Sequence, residues 1–389
     1  MSKLDDLIKN LCPDGVELKK LGEVAEIRSG WGFPNKEQGI KSGELPFYKV
    51  SDMNNKNNLV YMSVAENYIS RQTAKKLKCN PAPKDTIIFP KIGAAISTNK
   101  KRMLSVESCY DNNVMGIISS KQILARYLYF ILQKCNLMDF TNGEGAVPSI
   151  RKSVIENFKI PLPPLEVQRE IVRILDNFTE LTAELTAELT ARKKQYEFYR
   201  DLLLTFDDGV EFKKLENCCV ILDNKRKPIT KSARIAGKYP YYGANGIQDY
   251  VSDYIFDGTF VLVGEDGSVM TSNGNPVVNW AEGKIWVNNH AHIISEKNGV
   301  LLRYLFHFVQ TVNIAKLIHG NIPKLTNKDF REIKIPLPPI EEQERIVKIL
   351  DRFDKLCNDI SEGLPAEISA RQKQYEYYRD KLLNFKEKN

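Results

Sequence analysis

Cysteine is sparse and unpatterned in this 389-residue chain: there are seven, Cys218 and Cys219 adjacent and the others scattered, with no Cys-x-x-Cys spacing. That argues against a disulfide framework and against a spaced zinc-ligand set, and it favours reduced thiols in the cytoplasm. Long apolar runs are missing too. None approaches the ~18–20 residues of a membrane span, and the start Met1-Ser2-Lys3-Leu4-Asp5-Asp6 is not a signal peptide. The common catalytic signatures are also absent. There is no Gly-x-Gly-x-x-Gly fingerprint, no Walker lysine loop, no His-Glu-x-x-His, and no Asn-Pro-Pro-Tyr or Asp-Pro-Pro-Tyr tetrapeptide of the kind an amino-methyltransferase uses at its target base. Neighbouring carboxylates and lysines such as Lys84-Asp85 lack a nuclease's strand spacing and read as surface charge. With no catalytic residue, no metal site and no cofactor motif in view, the chain reads as a binding subunit and not as a catalyst.

Length, at ~150 residues per domain, suggests two or three domains. The apolar and charged fractions are those of an ordinary soluble globular protein. The formal net charge of +7 mildly favours an anionic partner.

What the sequence does have is a repeat. Ile160-Pro161-Leu162-Pro163-Pro164-Leu165-Glu166-Val167-Gln168 returns as Ile335-Pro336-Leu337-Pro338-Pro339-Ile340-Glu341-Glu342-Gln343. The match continues through Ile171-Val172, Ile174-Leu175-Asp176 and Phe178, and through Ile346-Val347, Ile349-Leu350-Asp351 and Phe353. It resumes at Gln195-Tyr196-Glu197-Phe198-Tyr199-Arg200-Asp201 and Gln374-Tyr375-Glu376-Tyr377-Tyr378-Arg379-Asp380. A duplicated unit follows from self-similarity at this separation. Each copy predicts a long helix that starts just after its prolines, which suit a helix start but not its interior. Apolar residues at 171, 174, 178, 181 and 185, then at 196, 199, 203 and 206, have the three-and-four spacing of a coiled-coil seam. Tandem Thr-Ala-Glu-Leu units at 182–189 interrupt the heptad as a stutter, which leaves the helix intact. In the second copy Gly363-Leu364-Pro365 should break or kink the helix.

The lead-in Asp14-Gly15-Val16-Glu17-Leu18-Lys19-Lys20-Leu21 also has an echo, Asp208-Gly209-Val210-Glu211-Phe212-Lys213-Lys214-Leu215. The order is therefore lead-in, globular region, long helix, twice over. In the first globular region Thr86-Ile87-Ile88-Phe89 and Val114-Met115-Gly116-Ile117-Ile118 predict buried strands, and Leu124 to Leu132 a packed helix. Its loops hold glycine, basic and amide side chains, the chemistries that meet phosphates and base edges. The candidates there are Trp31, Lys49, Lys91, Asn99, Lys100, Lys101 and Arg102. In the second region they are Lys225, Arg226, Lys227, Tyr242, Asn245, Ser268, Asn289 and His290. A solvated surface loop is the alternative for each of them. Gly264-Glu265-Asp266-Gly267-Ser268 is no phosphate cradle, because the Walker lysine is missing and two carboxylates repel phosphate. His290 and His292 share one face of a predicted strand but lack further ligands at metal spacing. DNA contact or structural hydrogen bonding is expected instead, with His290 toward a base or phosphate and His292 supporting the loop.

A duplicated Ile-Pro-Leu-Pro-Pro-x-Glu-x-Gln helix ending in Gln-Tyr-Glu-x-Tyr-Arg-Asp, alternating with two differing regions, resembles the specificity subunit of a Type I restriction–modification enzyme. The tandem Thr-Ala-Glu-Leu units and Gly363-Leu364-Pro365-Ala366-Glu367-Ile368 share in that resemblance, as do Tyr241–Gly246, Gly264–Gly267 and Asn288–His292. The resemblance implies an α/β (α+β) fold: two target-recognition domains joined by two long helices packed as an antiparallel coiled coil, with pseudo-twofold symmetry. The expected segments are 1–160 (lead-in and first recognition domain), 161–206 (first long helix, a spacer), 207–335 (second recognition domain) and 336–389 (second helix, broken near 363–365). Each domain is expected to read half of a split, asymmetric site in double-stranded DNA. Two modification (methyltransferase) subunits, carrying S-adenosylmethionine, would dock on a helical scaffold built from Ile171, Ile174, Phe178, Tyr196, Tyr199, Ile346, Ile349, Phe353, Tyr375 and Tyr378. Restriction subunits, carrying ATP and magnesium chemistry, would join through them. Each Thr-Ala-Glu-Leu unit adds ~6 Å of helix and is expected to set the unread gap. A self-contained DNA-modifying enzyme and a coiled-coil adaptor that reads no DNA are the competing readings.

Overall fold

The computed structural model describes residues 3–141, 147–207 and 209–388. The chain forms two units, Met1–Ala183 with Ser369–Asn389, and Glu184–Ile368. In the first, the apolar runs Ile87–Pro90 and Val114–Ser119 are strands, all but the last two of their residues buried. Runs this apolar need cover on both faces, so they belong in the middle of a sheet. They lie inside a five-stranded sheet ordered Ala25–Ser29, Val114–Ser119, Ile87–Pro90, Arg102–Leu104, Tyr61–Met62. A three-stranded sheet, Tyr68–Ile69, Leu45–Tyr48 and Cys109–Tyr110, completes the strands that matter for the site. Helix α1 (Ala125–Lys134) is buried at every position from Tyr127 to Leu132. A helix apolar all round must be covered all round, and the sheet and the long helices share that task in one continuous core.

Helix α2 (Leu165–Leu203) is 39 residues long. Its start is set by Pro164, whose carbonyl accepts from Val167 N and Gln168 N at 3.0 and 3.1 Å. Gln168 is wholly buried, and its amide is fully used. The Oε1 accepts from Leu124 N at 2.9 Å, while Nε2 donates to Gln122 O and Pro163 O at 3.1 and 2.8 Å. The amide thereby ties the beginning of α2 to the beginning of α1. From residue 176 to 195 no side chain of α2 is buried. That stretch, which contains the tandem Thr-Ala-Glu-Leu units, holds its helix through good helix formers and local bonds such as Thr182 Oγ1 to Phe178 O at 2.9 Å.

The second unit has a six-stranded mixed sheet: Val220–Ile221, Ala291–Ser295, Phe256–Gly264, Val278–Val287, Ala236–Gly243, Gly246–Val251. Helix α3 (Leu302–Val309) is buried at all positions but Arg303. Helix α4 (Ile340–Asn358) follows the second proline pair, and α5 (Leu364–Leu382) begins after a short break with Pro365 in its first turn, where the missing N–H is harmless.

The same joinery appears in both units. Gln343 copies Gln168, accepting from Leu301 N at 3.0 Å and donating to Pro338 O at 2.9 Å. Arg126 pairs with Asp176 at 2.7 Å, and Arg303 with Asp351 at 2.6 Å. The Tyr127 hydroxyl donates to Pro161 O, and that of Tyr304 to Pro336 O, at 3.1 and 2.9 Å. Leu18–Lys20 pairs with Lys159–Pro161 as Glu211–Lys214 pairs with Lys334–Leu337.

The helices are exchanged between the repeats. In the first unit the start of α2 packs against the end of α5, Phe178 stacking on Tyr378 at 5.3 Å. In the second unit the end of α2 packs against α4, Tyr199 stacking on Phe353 at 5.6 Å. In each pair the helices run antiparallel. Val16 bridges Glu387 beside the start of α2, while Glu211–Lys214, just past the end of α2, pairs with the strand leading into α4. This corrects one expectation. Ile171 and Ile346 are fully buried, Tyr196 and Tyr375 nearly so, and Ile174, Phe178, Ile349, Phe353 and Tyr378 partly. These side chains close their own units because the stripe they form is the inner face of the helix pair. Tyr199, 37 % exposed, sits at the edge of that face, and Phe198 (64 %) and Tyr377 (62 %) stand outside it at matching repeat positions.

Candidate nucleic-acid interface

Parallel pairing between two strands gathers four loops at one end of each sheet. In the first unit Leu45–Tyr48 and Cys109–Tyr110 run parallel, and Asp111 N donates to Tyr48 O at 2.9 Å. In the second, Tyr241-Tyr242 runs parallel to Trp286-Val287, and Asn288 N donates to Tyr242 O at 3.0 Å. Lys91 N donates to Asn113 O and Glu265 N to His290 O, both at 2.8 Å, which brings the next loop alongside. Trp31 N donates to Tyr110 O at 3.0 Å and Lys227 N to Val287 O at 3.3 Å, bringing in the fourth. Trp31 thus matches Lys227, Lys91 matches Glu265, and Asp111–Asn113 matches Asn288–His290. The two clusters share a backbone plan and differ in side chains.

In the first unit the cluster joins Trp31, Lys49 and Lys91. Trp31 is half-buried beside Tyr110, with ring centroids 5.5 Å apart. The Lys49 ammonium reaches Gln38 Oε1 at 3.0 Å and that of Lys91 reaches Ser29 Oγ at 3.1 Å. Burial pushes the Lys91 amine below the usual lysine range, with Asp111 opposing the shift. Burial likewise raises the Asp111 carboxyl, against hydrogen bonds from Asn113 that lower it. Lys100 is partly exposed and meets Asn54 Oδ1.

The rest of that basic run is structural. Lys101 is fully buried, its ammonium donating to Asn99 Oδ1 at 2.7 Å and Cys135 O at 2.6 Å. Asn99 has a left-handed backbone (φ 54°), and its Oδ1 also accepts from Leu137 N. Arg102 turns inward, its guanidinium donating to Lys101 O at 2.9 Å. Lys101, Asn99 and Arg102 are therefore corrected from DNA contacts to supports of the loop. A run of four polar residues cannot all face solvent where the strand Arg102–Leu104 begins.

In the second unit Lys225, Lys227, Asn245, Ser268, Asn289 and His290 are all exposed. A depression of about 360 Å³ is lined by Asn245, Gln248, Asp266, Ser268 and His290 among others. His290 is oriented by the Asp266 carboxylate at Nδ1, and its backbone N–H donates to Asn288 Oδ1 at 2.8 Å. Carboxylate, amide, hydroxyl and imidazole together match the donors and acceptors of base edges. Tyr242 and Arg226 do not take part. Tyr242 is 8 % exposed in the core, and Arg226, its side chain 11 % exposed, is held in an ion-pair knot. There Arg226 bonds Glu265 Oε2 at 2.6 Å and Ala291 O at 2.6 Å, and lies 3.5 Å from Asp223 Oδ2.

His292 belongs to the same knot. Its Nδ1 meets Asp223 Oδ2 at 2.7 Å and its Nε2 meets Leu325 O at 3.0 Å, with the ring stacked on Phe330. Burial, the largest single effect, raises the Asp223 carboxyl, but hydrogen bonds from His292 and Ile293 and the charge of Arg226 together hold it below the usual carboxyl range. Asp223, Glu265 and His292 form the one group among the described residues whose ligand atoms lie close enough for a metal ion. Their oxygens are already engaged by Arg226, Lys324 at 3.2 Å from Glu265, and Asn327 at 2.6 Å from Asp223. Residues the sequence reading missed are Asp111–Asn113, Gln248 and Asp266. The one signal for the first group was the echo of Asp111-Asn112-Asn113 in Asn288-Asn289-His290, too short to weigh before the strand pairing aligned it.

No helix among the described residues is long and apolar enough to cross a membrane. The family description "Type I restriction modification DNA specificity domain" matches residues 13–192 and 207–370. The EcoR124I/EcoR124II specificity subunit of Escherichia coli is 31% identical, over 99% of this chain and 98% of that protein. The EcoprrI specificity subunit, also from Escherichia coli, is 31% identical over 93% of each. A relative from Haemophilus influenzae carrying a type I specificity-subunit name is 43% identical over 185 residues, 46% of this chain and 48% of that one. Among solved structures, the Type I restriction–modification S subunit from M. genitalium superposes with a TM-score of 0.59 at 15% identity, covering 95% of this chain and 96% of that one. Twice-built recognition units on a duplicated helical scaffold, a family match over both halves, and full-length relatives lead to one conclusion: this chain belongs to the type I restriction–modification specificity-subunit family.

Proposed function

We propose that each unit reads one half of a bipartite site in double-stranded DNA, and that the paired helices dock two modification subunits, through which restriction subunits join. The observation that carries this reading is the loop cluster built twice on one backbone plan with different side chains. That is what two readers of two different half-sites require. Trp31, Lys49, Lys91 and Lys100 are assigned to one half-site. Lys225, Lys227, Asn245, Ser268, Asn289 and His290 are assigned to the other. Lysines on such loops position the duplex through its phosphates, while amide, hydroxyl and imidazole groups read base edges. The chain itself is assigned no catalysis. S-adenosylmethionine, ATP and magnesium belong on partner subunits, which leaves this chain to choose where they act.

The test is co-expression with the neighbouring modification-subunit gene, followed by sequencing-based mapping of N6-methyladenine in the host DNA. A bipartite motif with a fixed gap is expected. A stable complex that methylates a single continuous motif overturns the two-reader assignment.

A further inference from the structure

One pair of exposed side chains lies outside everything assigned above. Val147 and Ile322 are 59 % and 70 % exposed, large aliphatic groups on loops whose other tips are polar. Isolated exposed apolar residues are ordinary and need no account. These two are not independent, because they occupy the same place in both units. Each directly precedes a proline, in Val147-Pro148-Ser149-Ile150 and Ile322-Pro323-Lys324-Leu325. Pro148 O accepts from Gly93 N at 2.8 Å, and Pro323 O from Gly267 N at 3.0 Å. Ser149 bridges Ile92 and Lys324 bridges Asp266. Ile150 N donates to Lys91 O and Leu325 N to Glu265 O, both at 2.8 Å, with Ile150 and Leu325 buried as anchors. Gly93 and Gly267 share a φ of +79°, a backbone that glycine adopts readily, so the two loops turn alike.

The aliphatic group is thus held at a fixed point against the loop that carries Lys91 in one unit and Ser268 in the other. Proline restricts the residue before it to extended backbone, which narrows its freedom further. Ile322 borders the depression that Asn245, Ser268 and His290 line. A stiffly mounted aliphatic tip among hydrogen-bonding groups has one apolar target on a base edge in the major groove, the 5-methyl group of thymine.

We infer that Val147 and Ile322 are thymine-methyl readers, one in each unit. This rests on the assignment of the loop clusters to DNA. It adds that part of each half-site is read by apolar contact, at a position the polar residues do not determine. Burying one methyl group against an aliphatic side chain is worth about four-fold in affinity.

The experiment selects bound duplexes from a randomised pool with the full-length chain, then replaces each thymine of the selected site by uracil, one at a time. Wild type is expected to weaken about four-fold at one thymine in each half-site. Ile322→Ala should lose that sensitivity in one half only, and Val147→Ala in the other, with both variants still selecting the remaining bases. Both residues are surface-exposed, so folding is not at stake. Retained uracil sensitivity in both variants, or none in wild type, overturns the inference while leaving DNA reading intact. Enrichment of no sequence by wild type sinks the DNA reading itself and this inference with it.

Discussion

Gln168 and Gln343 show how one side chain can decide where a long helix begins. Each amide closes three backbone groups at a place where water does not reach. Gln168→Leu keeps the volume and leaves Leu124 N, Gln122 O and Pro163 O without that partner. The expected loss is about 1–3 kcal/mol of stability for the unit concerned, read as a shift in its urea midpoint. Lys101 makes a different prediction. Burial lowers its amine from 10.5 to about 8, since only neutral oxygens receive its ammonium. A base whose folded value lies below its unfolded one favours the folded state more as it deprotonates. Relative to Lys101→Met, wild type should therefore gain stability as pH rises from about 8 to 10.5, and show no such relative gain from 6 to 7. Denaturant titrations at stepped pH check this, and a flat difference refutes it. Residue chemistry alone could not have separated Lys100 from Lys101. Alternation along a strand decides which neighbour faces water, and the start of that strand was not legible from the polar run.

At the scale of elements the sequence was more readable. Strands at Ile87–Pro90 and Val114–Ser119 and helix α1 lie where β-branched runs and helical spacing put them. The apolar stripe on α2 was legible too, and so was its cover by the second copy of the helix. Only the fold shows that the start of α2 meets α5 while its end meets α4. The bare stretch of α2 from 176 to 195 carries the element-scale prediction. Nothing buried there fixes its length, so deleting Thr186–Leu189 should shorten the helix by ~6 Å without unfolding either core. Methylation mapping of the deletion variant should show the same two half-sites separated by a shorter gap. An unchanged gap would end the idea that this helix is a ruler.

For the whole molecule, the division into units cuts through α2 and α5 and leaves Glu184–Ile368 as one continuous stretch, while the other unit is assembled from both ends of the chain. Removing residues 369–389 should therefore leave the second unit's core intact. In the first unit it strips Tyr375 from Phe130 and Tyr378 from Phe178. Hydrogen exchange on the truncated chain should show protection kept in the strands Phe256–Gly264 and Val278–Val287 and lost in α1. Equal protection in both would mean that the exchanged helix end is dispensable.

That same feature sets an order of events on the ribosome. Domains usually close in the order in which they are synthesised. Here the first unit begins before the second in the chain, yet its core takes in residues 369–389, which follow the whole of the second unit. Val16 N donates to Lys386 O at 2.8 Å and Lys388 N to Val16 O at 3.0 Å, so the lead-in of the first unit is held by residues 386–388. Gly15, with φ +106° and no room for a Cβ beside Lys386 O, is shaped for that late arrival. The second half, by contrast, holds its whole core within one stretch that precedes residues 369–389. The unit begun first is thus expected to close after the one begun second, reversing the usual order.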